Sequence, residues 1–426
     1  MSQADWDRVQ YYSRKVKSLD IEFLDIDRWV HPSTYLRIAQ LQPSAFFPCL
    51  RHLRYVLGDT SKSHTLHSNF LSPLLDSIEL VNIRGFEDTI VGPFLATLSS
   101  ESQMLSRIVL HNGQMSVDTM KNSIVHFKHL RSLELSDAVV MNDFVMWEVL
   151  GTLPYLANLS LKAFNPATYS SSSHAPAESN SHTSSGGAKY FEALECLFVK
   201  GFFFLIHHLL GIIDSPYLNS IEIYPVIIKN PQNDYHESED LTPSMTIIAS
   251  KWSQSLKKLL IGSSFRAPRN AISEWFMLLT DLHEMETFHL LRWRMENMDD
   301  DLRHLANSWP KLRTLRVLPS DQTFISLSTL RIIAESCPEL RHLTILLDTS
   351  TIPPFDVSSK RLNHKLEVLT MGRDINEISL EYQVRMARHL DSIFPSLKSI
   401  EREIGDATWS GILELVKLCQ DIRNGQ

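Results

Sequence analysis

A short apolar phrase, Leu-x-x-Leu-x-Leu with Ile, Val, Phe or Met in place of any Leu, returns along the whole chain and limits what it can fold into. It begins at Val16, Leu50, Leu75, Leu105, Leu130, Leu156, Leu194, Leu218, Leu256, Met285, Leu312, Leu340, Leu366 and Leu397. Two copies depart at the last position, which is Tyr55 in the second and Arg402 in the final one. Successive starts lie roughly 24 to 38 residues apart. A unit of that length is one supersecondary element, too small to bury its apolar side alone. Stacking on neighbours supplies the core, so the period predicts a solenoid. Such an array offers a binding surface in place of a catalytic pocket.

Within each phrase the fourth and sixth residues are apolar and the third and fifth are mostly polar, as in Ser132-Leu133-Glu134-Leu135. Alternation of period two predicts a short strand with one face inward. The segments between phrases carry helical spacing: Val117 to Phe127, Asn142 to Leu153, Asn270 to Leu282, Met298 to Trp309, Phe324 to Cys337 and Tyr382 to Phe394. In Met298 to Trp309, the residues Leu302, Leu305 and Trp309 share a face, and Asp299, Asp300 and Asp301 occupy the first turn, where the helix dipole favours acids. Phe47-Pro48, Leu153-Pro154, Trp309-Pro310, Cys337-Pro338 and Phe394-Pro395 each stand two residues ahead of the next Leu. Proline disfavours helix in the residue before it, so the dipeptide ends a helix and turns the chain into the next strand. The predicted fold class is α/β: a leucine-rich-repeat solenoid, a curved horseshoe with parallel strands on the concave face and helices on the convex face.

The expected organisation is a capping helix over 1–15, the repeat array over 16–408, and a capping helix with tail over 409–426. Residues 165–189, rich in Ser, Ala, His and Gly, cannot offset their ordering entropy by burial and are expected to be disordered. Residues 229–243 are expected to form a polar loop. The apolar stretch from Leu197 to Ile213 is interrupted by Lys200, Gly201, His207 and His208, which suits a strand and a buried helix better than a membrane span.

Composition narrows the function. A net charge of -8 and a pI near 6.1 argue against a general nucleic-acid binder, which needs a basic stripe. Four dispersed cysteines, Cys49, Cys196, Cys337 and Cys419, form no Cys-x-x-Cys pair and suit a reducing, intracellular compartment, cytoplasmic or nuclear. The first 17 residues lack the apolar core of a signal peptide. A monomer outside complexes, with no membrane partner, is expected.

The chain carries no phosphate loop, no Gly-x-Ser-x-Gly elbow and no His-Glu-x-x-His motif. His207 and His208 are adjacent on a helix and point in different directions, so they make no metal clip. No enzyme, metal or cofactor is expected. What remains is the outward strand face. Its fifth-position column reads Asp20, Arg54, Glu79, Val109, Glu134, Ser160, Phe198, Glu222, Leu260, His289, Arg316, Thr344, Thr370 and Glu401. Phe198, Leu260, His289 and Arg316 place aromatic, apolar and basic groups in the later repeats, and Arg292 and Trp293 follow one strand directly. Trp and Arg are favoured interface anchors, so these six residues are the candidate protein-binding patch. The alternative is that Phe198 and Leu260 are shielded by neighbours and the charges are merely solvated.

The opening Asp5-Trp6-Asp7-Arg8-Val9-Gln10-Tyr11-Tyr12, the run Phe47-Pro48-Cys49-Leu50-Arg51-His52-Leu53 and the closing Phe394-Pro395-Ser396-Leu397-Lys398-Ser399-Ile400 resemble the leucine-rich region of fungal F-box/leucine-rich-repeat proteins. The resemblance spans nearly the whole chain in style and spacing. It implies a substrate receptor that presents a protein target to a Skp–cullin–F-box ubiquitin ligase. The F-box itself, with its Leu-Pro-x-Glu-like opening, is not found in this chain. A stand-alone scaffold or regulatory protein without ligase association is the other expectation.

Overall fold

Every copy of the apolar phrase is a parallel strand in the computed structural model, which describes residues 3–22, 45–56, 70–82, 88–111, 116–136, 144–162, 189–226, 240–263, 272–295, 297–320, 323–350, 352, 361–371, 379–402 and 408–425. The chain divides into two compact units, Met1–Tyr217 and Leu218–Gln426. The segment 165–189 lies outside the described residues apart from Lys189, as does 229–243 up to Asp240.

The N-terminal unit runs α1 (Gln3–Ser13), β1 (Ser18–Glu22), β2 (His52–Val56), β3 (Ser77–Val81), α2 (Asp88–Glu101), β4 (Arg107–His111), α3 (Val117–Ile124), β5 (Ser132–Ser136), α4 (Phe144–Gly151), β6 (Asn158–Lys162), β7 (Cys196–Gly201) and α5 (Phe203–Ile212). The C-terminal unit runs β8 (Ser220–Pro225), α6 (Thr242–Trp252), β9 (Lys258–Gly262), α7 (Ile272–Leu279), β10 (Thr287–Leu291), α8 (Met298–Ser308), β11 (Thr314–Leu318), α9 (Leu327–Ser336), β12 (His342–Ile345), β13 (Val368–Met371), α10 (Leu380–Ile393), β14 (Ser399–Arg402) and α11 (Thr408–Asn424). In each unit the strands are parallel and lie in sequence order. Each unit is thus a run of leucine-rich repeats, and the chain is an α/β leucine-rich-repeat solenoid.

The local chemistry of one repeat explains the register. Just ahead of most strands the chain makes a tight turn in which the first residue of the phrase donates its N–H to the carbonyl three residues back. Leu50 bonds Phe47 at 3.1 Å, Leu312 bonds Trp309 at 3.1 Å, Leu340 bonds Cys337 at 3.1 Å and Leu397 bonds Phe394 at 3.1 Å. Proline at the second position of these turns presets the backbone. Non-proline turns close the same way, as Leu75 to Ser72 at 3.0 Å and Leu105 to Ser102 at 3.1 Å show. Within a unit, the carbonyl after the first residue of a phrase then accepts two N–H groups from the next repeat: Arg51 and His52 onto Lys17, Asp76 and Ser77 onto Arg51, Arg313 and Thr314 onto Glu286. Side chains tie neighbouring turns where a carbonyl needs a further donor. Ser72 Oγ reaches Pro48 O at 2.9 Å, Ser102 Oγ reaches Ser72 O at 2.8 Å, and Trp309 Nε1 reaches Leu279 O at 3.1 Å.

The core lies between strands and helices. Tyr55 of β2 meets Phe94 of α2 edge-on at 6.3 Å, and Phe288 of β10 lies between Phe276 of α7 and Trp309. Helices start where a side chain caps them. Ser116, Ser326 and Ser379 each accept a backbone N–H from the third residue on. Asp240 accepts from Thr242, so Thr242 and Pro243, polar-loop residues by composition, open α6. Asp299 reaches out of α8 to take N–H of Ser326 at 2.9 Å and Oγ1 of Thr329 at 2.6 Å, tying α9 to its neighbour. At the chain start, α1 buries only Ser13, and Leu19 and Ile21 of β1 stay half-buried. An open groove of about 420 Å³ remains there, lined by Val9, Tyr12, Val16, Phe46 and Phe47.

Candidate partner-binding face

The pairing register turns the fifth-position column into real rows. In the C-terminal unit, Glu222, Leu260, His289, Arg316, Thr344, Thr370 and Glu401 are successive partners across β8 to β14. Period two puts the third and seventh positions on the same side, which adds Lys258 and Tyr224 beside this row. Lys258 pairs with Glu222 across β8 and β9. The Tyr224 ring lies directly over Gly262, where a Cβ would stand 2.4 Å from Tyr224 Cε1; only a glycine leaves room for it. Burial, then the Glu222 carboxylate, pushes the Tyr224 phenol above its ordinary range against the pull of Arg316.

His289 sits half-buried at the centre of the row. Burial, then Arg316 and Lys258, holds its imidazole below the ordinary histidine range, with Glu222 opposing. Its Nε2 is shielded from solvent and meets no hydrogen-bond partner among the described residues. A donor or acceptor that is desolvated without a partner costs free energy, so the site gains when a ligand supplies one. The patch therefore combines two cationic side chains, a phenol and an unsatisfied imidazole nitrogen on adjacent strands.

Two of the expected patch residues are not available to a partner. Trp293 is 1% exposed and meets Trp275 edge-on at 4.7 Å. The reason is Arg292, whose φ of 65° is left-handed. That residue breaks the strand alternation, so Arg292 is exposed and Trp293 turns into the core. Leu260 is 7% exposed, between Glu222 and His289 in the row, and belongs to the buried set. Phe198 lies in the N-terminal unit, in the row Asp20, Arg54, Glu79, Val109, Glu134, Ser160 and Phe198. There Arg54 gathers Asp20 at 2.9 Å, Glu22 at 3.3 Å and Glu79 at 3.2 Å, and Lys162 pairs with Glu134 while standing 5.5 Å from the Phe198 ring centroid. The acids of that half are thus largely matched within the face. Tyr224 and Lys258 escape a reading confined to the fifth column; following the alternation two residues either way finds both.

Among the described residues no group of three His, Cys, Asp or Glu could hold a metal ion. His207 is exposed and His208 half-buried on α5, and burial followed by His207 lowers the His208 imidazole. No disulfide joins the four cysteines, and burial pushes the Cys337 thiol up to about 12. No described helix is long and apolar enough to cross a membrane.

No family model matches the chain, and no curated protein matches it. Among solved structures, it is similar to the leucine-rich repeat-containing protein LegL7 from Legionella pneumophila, with TM-score 0.38 and 11% identity over 94% of this chain and 96% of that one. A Bacteroides fragilis protein gives TM-score 0.35 and 14% identity over 63% of this chain and 65% of that one. TLR13 in its complex with ssRNA13 gives TM-score 0.45 and 16% identity over 84% of this chain and 44% of that one. The fold assignment rests on the strands and their register.

Proposed function

We propose that the chain is a protein-binding repeat module whose partner docks on the strand face of the C-terminal unit. The observation that carries this reading is the row Glu222, Leu260, His289, Arg316, with Tyr224 across Gly262 and the unsatisfied His289 Nε2 beside it. The partner surface that fits has a carboxylate for Arg316 and a hydrogen-bonding group for His289. Arg292, exposed at the end of β10, extends the cationic edge.

Proximity labelling in cells, comparing the natural chain with the His289→Glu, Arg316→Glu double variant, followed by titration of the purified partner, tests this. Binding at least about tenfold weaker in the variant, with unchanged thermal unfolding, is the expected result. Equal affinity refutes it. The finer reading, that the partner is a target delivered to a Skp–cullin–F-box ligase, comes from the family resemblance. Co-purification of the Skp adaptor with the full-length gene product supports that role. Its clean absence leaves a scaffold or regulatory protein. An intracellular setting follows from the cysteine usage.

A further inference from the structure

One position in the turns ahead of the strands is apolar or uncharged over a run of N-terminal repeats and charged over a run of C-terminal ones. It is the residue immediately before the first Leu of each phrase. In the N-terminal unit it reads Lys15, Cys49, Leu74, Met104, His129, Tyr155, Ala193 and Tyr217, without a formal charge from Cys49 onward. Leu74, Met104, Tyr155 and Tyr217 are between 52% and 65% exposed. In the C-terminal unit the same position carries Ser255, Glu284, Lys311, Glu339, Lys365 and Ser396, the four charged residues joined as ion pairs at 2.6 Å and 2.8 Å. At Glu284, Lys311 and Glu339 the turn closes by the same main-chain bond, so the fold does not require apolar groups at this place.

These residues recur once per repeat as a ridge, with exposed Leu74, Met104, Tyr155 and Tyr217 interleaved with exposed His129 and half-buried Ala193. Each stands three residues ahead of strand positions that pair directly, His52 with Ser77, Ser77 with Arg107, Arg107 with Ser132, Ser132 with Asn158 and Asn158 with Cys196. Ser215 Oγ bonds the carbonyls of Glu192 and Leu194 and seats the Tyr217 turn against the one before it. The His129 ring stacks on Tyr155 at 6.2 Å with 6° between planes. Scattered exposed apolar side chains are ordinary, but a contiguous row marks an interaction surface.

The turns themselves select the kind of partner. Several of their main-chain groups are already used. The first Leu N–H closes the turn, the following carbonyl takes two donors from the next repeat, and Ser72 and Ser215 accept the N–H groups of Leu74 and Tyr217. A partner strand would find no ladder to join, so recognition falls to side chains. A helix satisfies its own main chain and needs only side-chain contact. Neighbouring turns step by about 4.8 Å, close to the 5.4 Å pitch of a helix, so one apolar residue per helical turn meets one repeat. From Leu74 to Tyr217 the five steps span about 24 Å, the length of about 16 helical residues. Exposed Lys128 and Arg131 flank His129, and exposed Glu192 and Glu195 flank Ala193 two steps further on.

We infer that this ridge is a docking surface for an amphipathic helix of a second protein. The helix carries an apolar stripe, acids against Lys128 and Arg131, and bases against Glu192 and Glu195 about two turns away. A phage library of helices of about 16 residues, randomised at the outward positions and selected against the full-length chain, tests it. The expected winners carry the apolar stripe and, as free peptides, bind Tyr155→Asp and Met104→Asp at least about thirtyfold more weakly than the natural chain. They bind Lys311→Asp, at the same turn position of the C-terminal unit, as tightly as the natural chain. No enrichment, winners without the stripe, or binding indifferent to both ridge substitutions overturns the inference. So does concentration-dependent dimerisation of the natural chain that either ridge substitution abolishes, since the ridge then belongs to a second copy.

Discussion

His364 offers a test of how this array is held together, because its two ring nitrogens have assigned jobs. The side chain is 3% exposed, just ahead of β13. Nε2 lies 2.8 Å from the carbonyl of Cys337, and Nδ1 lies 3.1 Å from the backbone nitrogen of Leu366. The carbonyl can only accept and the Leu366 N–H can only donate. The ring must therefore be neutral, with its hydrogen on Nε2. A second proton would have to sit on Nδ1, facing another N–H. Burial, the largest influence, lowers this imidazole below its usual 6.5, and Lys365 adds to that. The Cys337 carbonyl and Glu339 pull the other way. Phe394 packs edge-on at 5.3 Å and brings no charge.

The sign follows from linkage. A histidine lowered in the folded state binds its proton more readily when unfolded, so stability rises with pH across its titration. Its contribution is complete above about 6.5 and is lost as pH falls through 6.5 toward the lower folded value. His364→Phe keeps a ring of similar shape and removes both hydrogen bonds. The Leu366 N–H is then buried without a partner, at about 1–3 kcal/mol. Cys337 O keeps the Leu340 N–H at 3.1 Å and loses only its second donor, at about 1 kcal/mol. The expected destabilisation at pH 7.5 is about 2–4 kcal/mol. Urea unfolding at pH 7.5 and pH 5.5, on the natural chain and the variant, measures it. Burial lowers His208, His289 and His389 as well, so both proteins weaken in acid. Only the gap between them isolates His364, and it must narrow at pH 5.5. A gap of constant size, or a variant as stable as the natural chain at pH 7.5, refutes the assigned tautomer.

Two further perturbations probe the register and the C-terminal end. Leu315→Ala removes a side chain that is 3% exposed and should cost about 2–5 kcal/mol by urea unfolding, whereas Arg316→Glu on the opposite strand face should cost under about 1 kcal/mol. Equal losses contradict the assigned faces. Asp391 of α10, 1% exposed, accepts Arg423 Nη1 at 2.7 Å and Arg361 Nη2 at 3.5 Å. Arg423→Ala leaves that buried carboxylate short of its nearer partner and should cost about 3 kcal/mol. Hydrogen exchange in α10 and α11 reports it, and unchanged protection there contradicts the role given to the pair.

The repeat itself was legible from single residues. Alternation of period two marks Leu133 and Leu135 as inward, and proline before Leu50, Leu156, Leu312, Leu340 and Leu397 marks the turn. Both signals are local, because a pleat and a proline ring act on their own stretch of backbone. The helix at the chain start was legible too, as the cap expected over 1–15, but not that it buries only Ser13.

The candidate site was less legible than the array. Arg316 and His289 stand on the outward face as the alternation indicates, yet Trp293 does not, because one left-handed residue at Arg292 reverses the alternation after β10. Leu260 faces outward by its place in the strand and is nonetheless buried. Its exposure depends on Glu222 and His289, which stand beside it only through pairing with residues 38 and 29 positions away by chain number. By itself the sequence determined which side of each strand a residue takes, since that depends on near neighbours. Tertiary structure decided which outward residues water or a partner can reach, and brought Tyr224 over Gly262. Those outcomes depend on groups that only the stacking of separate repeats brings together.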